Sequence, residues 1–184
     1  MTSYVPRTEK NNQEYGKGGK VLDWVRAFLI AVLLAVLIRI FVFEPFAVSG
    51  PSMEETMYTG DLVLVNKLIY KMREPERGEI VVFHESKDKD FIKRVIALPG
   101  ETVEAKNNKI LINGKIVDEP YLSDHMRTMD FDEVQVPQGK VFVLGDNRNN
   151  SEDSRYISIG NIRGEELLGL VLFDLSKDHF GLVH

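Results

Sequence analysis

Two side chains in this 184-residue sequence have the type and the setting for covalent chemistry, Ser52 and Lys93. Ser52 lies in Ser49-Gly-Pro-Ser-Met53, where a Gly-Pro turn exposes a hydroxyl beside free backbone N–H groups, the ingredients of an oxyanion hole. The chain has no cysteine, so a Cys nucleophile, thiolate zinc sites and disulfides are excluded. With no plausible His triad either, the serine would need a lysine or a carboxylate as its base. Lys93 sits in the strand-like run Phe91–Leu98, where alternation places it on the face of Phe91, Val95 and Ala97, with Arg94 on the other face. Desolvation on an apolar face favours the neutral amine that a general base needs. Lowering its pKa from ~10.4 to ~7.5 costs about 4 kcal/mol, within what a folded β core supplies. Each residue also has an ordinary reading, a serine in a turn and a lysine snorkelling at a strand edge.

Metal chemistry finds little support. His84-Glu85 lacks the second His of a metalloprotease helix, and the Asp146 loop lacks the acidic third position and sixth-position Gly of a calcium loop. His179 and His184 stand near the terminus without partners and read as solvated. Asn149-Asn-Ser151 matches a glycosylation sequon, a pattern common by chance. No GxxxxGK[ST] or GxGxxG loop occurs, so nucleotide chemistry lacks its signature. The sequence predicts no cofactor and no metal.

The elements that must position Ser52 and Lys93 read as strands. Asp61–Val65, Gly78–Phe83, Phe91–Leu98, Lys109–Ile112, Lys140–Leu144 and Leu168–Leu175 alternate or run apolar, and Asn113-Gly114 is a hairpin turn between Lys109–Ile112 and Lys115–Val117. Six or more short strands without a long helix predict a mostly β fold, with residues 101–137 as a smaller β insertion in the larger sheet. The net charge of −5 divides into +2 over residues 1–44 and −7 over residues 45–184. An acidic body argues against nucleic acid as a partner.

A different element precedes the strands. From Trp24 to Phe43, 18 of 20 residues are apolar, interrupted only by Arg26 and Arg39. Twenty residues at ~1.5 Å each give about 30 Å, the hydrocarbon thickness of a bilayer. The division predicted is a polar tail over 1–20, a single transmembrane helix over 21–43 and an all-β ectodomain over 44–184. Arg7, Lys10, Lys17, Lys20 and Arg26 put the N-terminus in the cytoplasm by the positive-inside rule, and the β body outside. A cleaved secretory signal is the competing reading, because Ala27–Ile38 is only 12 residues long and Ala47-Val48-Ser49 resembles a cleavage site.

The chain resembles the type I signal peptidases, membrane-anchored Ser-Lys endopeptidases of bacteria (peptidase family S26). The resemblance runs from the apolar segment to about Phe173. It rests on Ser49–Met53, Gly60–Lys67, Arg77–Phe83, Ile92–Glu101 and Gly145-Asp-Asn-Arg-Asn-Asn-Ser-Glu-Asp-Ser-Arg155, in the family's order. It implies Ser52 as nucleophile, Lys93 as general base and Ser151 as the hydroxyl that orients the amine. Asp153 and Arg155 match the pair that braces the last block, and Asp146 and Arg148 open that block as structural residues. The resemblance also implies secretory preproteins as partners, cut at small-x-small sites at the bilayer surface of a bacterial cell membrane. Two positions depart from the family: Glu55 stands where a Pro is usual, and Gly50 replaces a Ser that many relatives use as an oxyanion donor, so the resemblance leaves the oxyanion hole to the Ser52 N–H with Gly50 as oxyanion and turn support.

Only eight residues separate Phe43 from Ser52, which holds the nucleophile within about 30 Å of the membrane face. Two other functions fit parts of the pattern: a self-cleaving Ser-Lys repressor, for which Met1–Lys20 is too short to be the DNA-binding module, and an anchored β domain that binds exported proteins without cutting them.

Overall fold

The computed structural model describes residues 17–86, 89–176 and 180–183; most of the predicted polar tail, His179 and His184 lie outside them. The chain divides between Ile38 and Arg39 into an N-terminal helical unit and a β-rich unit. Helix α1, Lys17–Phe41, contains a 22-residue stretch, Lys20–Phe41, with mean hydropathy 2.5 and none of it buried within the protein. Such a stretch is about 33 Å long, enough to cross a bilayer. Its exposed side chains, Trp24, Phe28 and Leu33 among them, surround the helix rather than forming one stripe. The helix ends at Phe41, two residues short of the sequence reading.

The difference has a local cause. Phe43–Ala47 forms strand β1, with Pro45 in its middle, and pairs antiparallel with β2, Leu62–Asn66. Proline cannot donate to a ladder, so it is accepted here because β1 is the edge strand of its sheet. The chain continues through the short helix α2, Ile69–Met72, then β3, Ile80–Ser86, and β4, Lys89–Ala97. Next come β5, Thr102–Lys106, β6, Lys109–Ile112, β7, Lys115–Ile116, and β8, Phe131–Gln135. After them follow β9, Lys140–Leu144, β10, Ile162–Arg163, β11, Leu167–Asp174, and β12, Gly181–Leu182. The fold is mostly β.

Among the described residues all strand pairs are antiparallel and make two sheets. One runs β1-β2-β11-β3-β4-β9-β10, with β12 on β11, and the other runs β7-β6-β5-β8. The β6–β7 hairpin turns at Asn113 and Gly114, with φ of 50° and 73°. Those are the positive angles that an Asn-Gly turn supplies at low cost. Ile96 and Ala97 of β4 and Phe142 and Leu144 of β9 pack with Val103, Ala105, Ile110 and Ile112 of the second sheet, so that sheet covers one side of β4 and β9. The opposite side of β9, Val141 and Val143, packs with Phe91 and Val95.

Strand β4 is therefore packed on both sides, and every residue from Phe91 to Ala97 is buried. Sequence alternation grouped Ala97 with Phe91, Lys93 and Val95. Instead, a register shift between Val95 and Ala97 sends Ala97 to the cluster of Ile96. On the other face Arg94 is as deeply buried as Lys93, because distant partners meet it there.

Candidate active site

The segment after β1 leaves the sheet as a turn. Glu54 N–H donates to Pro51 O at 3.0 Å, and the Thr56 and Met57 N–H groups donate to Met53 O at 3.0 and 2.9 Å. Met53 and Met57 drive this turn onto the core with Val48, Val63 and Ile80. Full burial of a methionine contributes about 1.5–3 kcal/mol, so two of them hold the turn firmly while Ser52, between them and Pro51, stays partly exposed. Gly50 has φ of +91°, in the region that favours glycine, and nothing lies within 4 Å of where its Cβ would be.

Lys93 reaches this turn from β4. Its Nζ donates to Ser52 Oγ at 2.8 Å and to Ile92 O at 3.1 Å, and lies 4.5 Å from the centre of the Phe91 ring. Desolvation is the main influence on the amine and pushes its pKa down to about 8 against the opposing pull of Asp153, Glu152 and Asp146. That shift, from 10.5, is about 3 kcal/mol of bias toward the neutral form. At neutral pH a minor fraction of the amines, rising with pH, carry a free lone pair, with Nζ 2.8 Å from the Ser52 hydroxyl oxygen. An amine and a hydroxyl so placed can exchange a proton, which is what general-base activation of a serine requires.

The loop after β9 closes the site from the other side. Asp153, fully buried, accepts from Arg155 Nε at 2.7 Å and Nη2 at 2.8 Å, and from the Gly145 N–H at 3.1 Å. Arg148 donates to Gly145 O at 3.0 Å, to Thr128 Oγ1 at 3.0 Å and to Glu119 Oε1 at 2.6 Å, which ties the loop to the segment before β8. Asp146 accepts both Arg94 Nε at 2.9 Å and Nη2 at 2.7 Å, and also the Thr56 hydroxyl at 2.5 Å. The Arg94 guanidinium carbon lies over the Tyr121 ring, 3.9 Å from its centre. Asp146 thus braces β4 and the turn that carries Ser52 together. Sequence reading gave Arg94 a face of the strand and no partner; Asp146 lies 52 residues away.

Ser151 is buried in the same loop, but its Oγ has no hydrogen-bond partner among the described residues. The structure therefore brings Ser52 and Lys93 into contact and does not bond Ser151 to the amine. Gly145 packs so closely that a methyl group on it would collide with the Ser151 hydroxyl and the Ser52 carbonyl.

Glu55, standing where the resemblance leads one to expect proline, has φ of +84°. Proline is fixed near −65° and cannot adopt that angle, so this turn is built differently. Its ties are to other segments: Glu55 Oε1 to His125 Nε2 at 2.6 Å, Thr56 to Asp146, and the Pro51 and Ser52 carbonyls to Asn147. Sequence reasoning singled out none of Thr56, Glu119, Tyr121 or Asn147, whose roles depend on contacts across the fold.

Ser52 and Lys93 line a cleft of about 300 Å³ whose walls include Phe46, Val48, Phe91 and Ile92. β4 pairs with β9 only from Arg94 onward, so the Lys89–Lys93 stretch borders this cleft with an open edge. A larger cavity, about 500 Å³ and lined by Ile80, Val95 and Val171, contains neither residue.

Sequence comparison identifies the family. The family model described as signal peptidase, peptidase S26, matches residues 21–175. The chain belongs to that family. Signal peptidase I S of Bacillus subtilis (strain 168) is 46% identical over 155 residues, covering 78% of this chain and 83% of the relative. Signal peptidase I T of the same strain is 43% identical over 181 residues, covering 90% and 93%. A solved signal peptidase I from Enterococcus faecalis V583 is 35% identical, covering 54% of this chain and 97% of that one with a TM-score of 0.46. The chain is an enzyme of the signal peptidase I type, a membrane-anchored serine peptidase of the kind that removes signal peptides.

Proposed function

We propose that this peptidase cuts secretory preproteins with a Ser52–Lys93 dyad, and the observation that carries the reading is the 2.8 Å approach of Lys93 Nζ to Ser52 Oγ. Neutral Lys93 accepts the hydroxyl proton as Ser52 Oγ bonds to the scissile carbonyl carbon. The oxyanion takes a hydrogen bond from the Ser52 N–H. Collapse breaks the C–N bond, and the Lys93 ammonium returns its proton to the leaving amine of the mature chain. The signal peptide is left as an ester on Ser52. Water, deprotonated by Lys93, then hydrolyses that ester and regenerates the serine. Ser151, whose Oγ has no partner among the described residues, turns to the amine and orients it during the cycle, Gly50 leaves room at the turn for the substrate, and Asp146, Arg148, Asp153 and Arg155 keep the loop rigid.

The substrate enters extended and adds to the open edge of β4 at Lys89–Lys93, with small side chains filling the cleft beside Phe46, Val48 and Ile92. A small-x-small signal sequence fits such shallow walls. Helix α1 is retained as the single-pass anchor in a bacterial cell membrane, its N-terminus cytoplasmic and the β unit outside, so that enzyme and substrate share one surface. The test is incubation of the detergent-solubilised enzyme with a preprotein, followed by N-terminal sequencing of the product. Cleavage in trans after a small-x-small site supports the reading. Cleavage of itself alone, or binding without cleavage, refutes it. Sequencing the mature enzyme and extracting its membranes with carbonate test the anchor: a soluble chain starting near Gly50 would overturn it.

A further inference from the structure

We propose that Asn147 is the positioning residue of the oxyanion donor, its side-chain amide holding the Pro51–Ser52 peptide so that the Ser52 N–H faces the reacting carbonyl; this rests on the Ser-Lys reading above. A peptide unit is planar and trans, so its C=O and N–H point in opposite directions from one plane. Fixing the Pro51 carbonyl therefore fixes the aim of the Ser52 N–H.

Pro51 O receives two hydrogen bonds, from Asn147 Nδ2 at 3.0 Å and from the Glu54 N–H at 3.0 Å. The peptide on the other side of the nucleophile is held by the same residue, because the Asn147 N–H donates to Ser52 O at 3.0 Å. One side chain and its own backbone thus grip both peptide planes that flank Ser52. The remaining amide proton of Asn147 reaches Glu54 Oε2 at 3.2 Å, and its Oδ1 accepts from the Asn150 N–H at 3.2 Å. A carbonyl and a carboxylate on one side and an N–H on the other leave only one orientation for the amide. Asn147 is 8% exposed, and all its polar groups are used.

The Ser52 N–H, by contrast, donates to no acceptor among the described residues, and Ser52 lines the cleft. Gly50 has no side chain to offer a second donor. The reaction thus depends strongly on the direction of this one N–H, and Asn147 is the residue placed to set it.

The test uses the full-length enzyme in detergent with a small-x-small peptide. Loss of a whole oxyanion donor costs about 10²–10³ in kcat. With the Glu54 N–H still holding Pro51 O, Asn147→Ala is expected to lose about 10-fold or more in kcat, while KM, the midpoint of the pH profile and Tm stay near wild type. A peptide aldehyde, which forms a tetrahedral adduct on Ser52, should weaken by the same factor as kcat/KM. The double swap Asn147→Asp with Glu54→Gln separates the contacts. It remakes the 147–54 hydrogen bond with donor and acceptor exchanged, keeps the acceptor for Asn150 and conserves charge, but gives Pro51 O no side-chain donor. The swap is expected to be as slow as Asn147→Ala, and it keeps the test available if the alanine variant folds poorly. Wild-type kcat in the swap would assign the effect to the Glu54 contact and overturn the proposal. So would parallel losses in KM, Tm and pH midpoint, which mark a merely structural residue. A wild-type rate for Asn147→Ala beside an inactive Ser52→Ala overturns this proposal alone, whereas turnover by Ser52→Ala would bring down the dyad reading beneath it.

Discussion

Replacing Lys93 by methionine should make the protein more stable relative to wild type at neutral pH than at alkaline pH, and the size of that difference follows from the site. Burial lowers the folded-state pKa from 10.5 to about 8. The unfolded chain therefore binds more protons than the folded one between those two values, and stability rises with pH across that window. The cost of burying the lysine is fully present below about pH 8, fades between about 8 and 10.5, and is absent above. Two and a half pH units correspond to about 3 kcal/mol. Methionine has similar length and no charge, so whatever it gains or loses in packing is the same at every pH. The advantage of Lys93→Met over wild type should thus shrink by about 3 kcal/mol between pH 7 and pH 11. Paired urea unfolding of the two proteins cancels the titration of all other groups. Circular dichroism is the suitable probe, because the single tryptophan, Trp24, lies in α1 and not in the β unit. A difference that does not vary with pH would show that Lys93 titrates at its ordinary value in the fold, and the general-base argument would lose its foundation.

Three further substitutions separate the parts of the site. Arg94→Ala leaves the buried Asp146 carboxylate without its bidentate partner and should cost about 3–5 kcal/mol in unfolding free energy, where a loss below about 1 kcal/mol would mean that the pair contributes nothing. Gly145→Ala forces its new methyl against Ser52 O and the Ser151 hydroxyl; we expect about 1–3 kcal/mol of destabilisation with activity falling by at least about 100-fold, and retention of both would disprove the close approach. Ser151→Ala removes a buried hydroxyl that has no partner, so Tm should hold or rise while kcat falls about 10-fold or more; a marked drop in Tm would show that the hydroxyl is bonded after all.

The parts of the fold that could be read in the sequence are those set by local rules. Lys109–Ile112 and Lys140–Leu144 have the bounds that alternation gives, and Asn113-Gly114 turns where its positive φ values allow. β1 was hidden because Pro45 reads as a breaker, and only its place at the sheet edge makes it harmless. β5, Thr-Val-Glu-Ala-Lys, and β8, Phe-Asp-Glu-Val-Gln, carry too much charge to stand out, since their polar faces are not packed in the core. Within the site, the face of Lys93 and the exposed turn at Ser52 were legible from neighbouring residues. The burial of Arg94 was not, because Asp146 and Tyr121 are brought to it by tertiary packing. Ser151 was marked only by resemblance, and Asn147, though inside the same block, carried no role of its own, since its significance is that it reaches Pro51 and Ser52 across the fold.

The central claim, a neutral lysine activating Ser52, is tested most directly by the pH dependence of kcat/KM on a small-x-small signal-peptide substrate, because this ratio reports the ionisation of the free enzyme. The rate should climb about tenfold per pH unit and level off through an apparent pKa of about 8, and the same assay should detect no turnover with Lys93→Ala. A profile that is flat from pH 6 to 9 or bends only near 10.5, or turnover that survives the loss of Lys93, would contradict it.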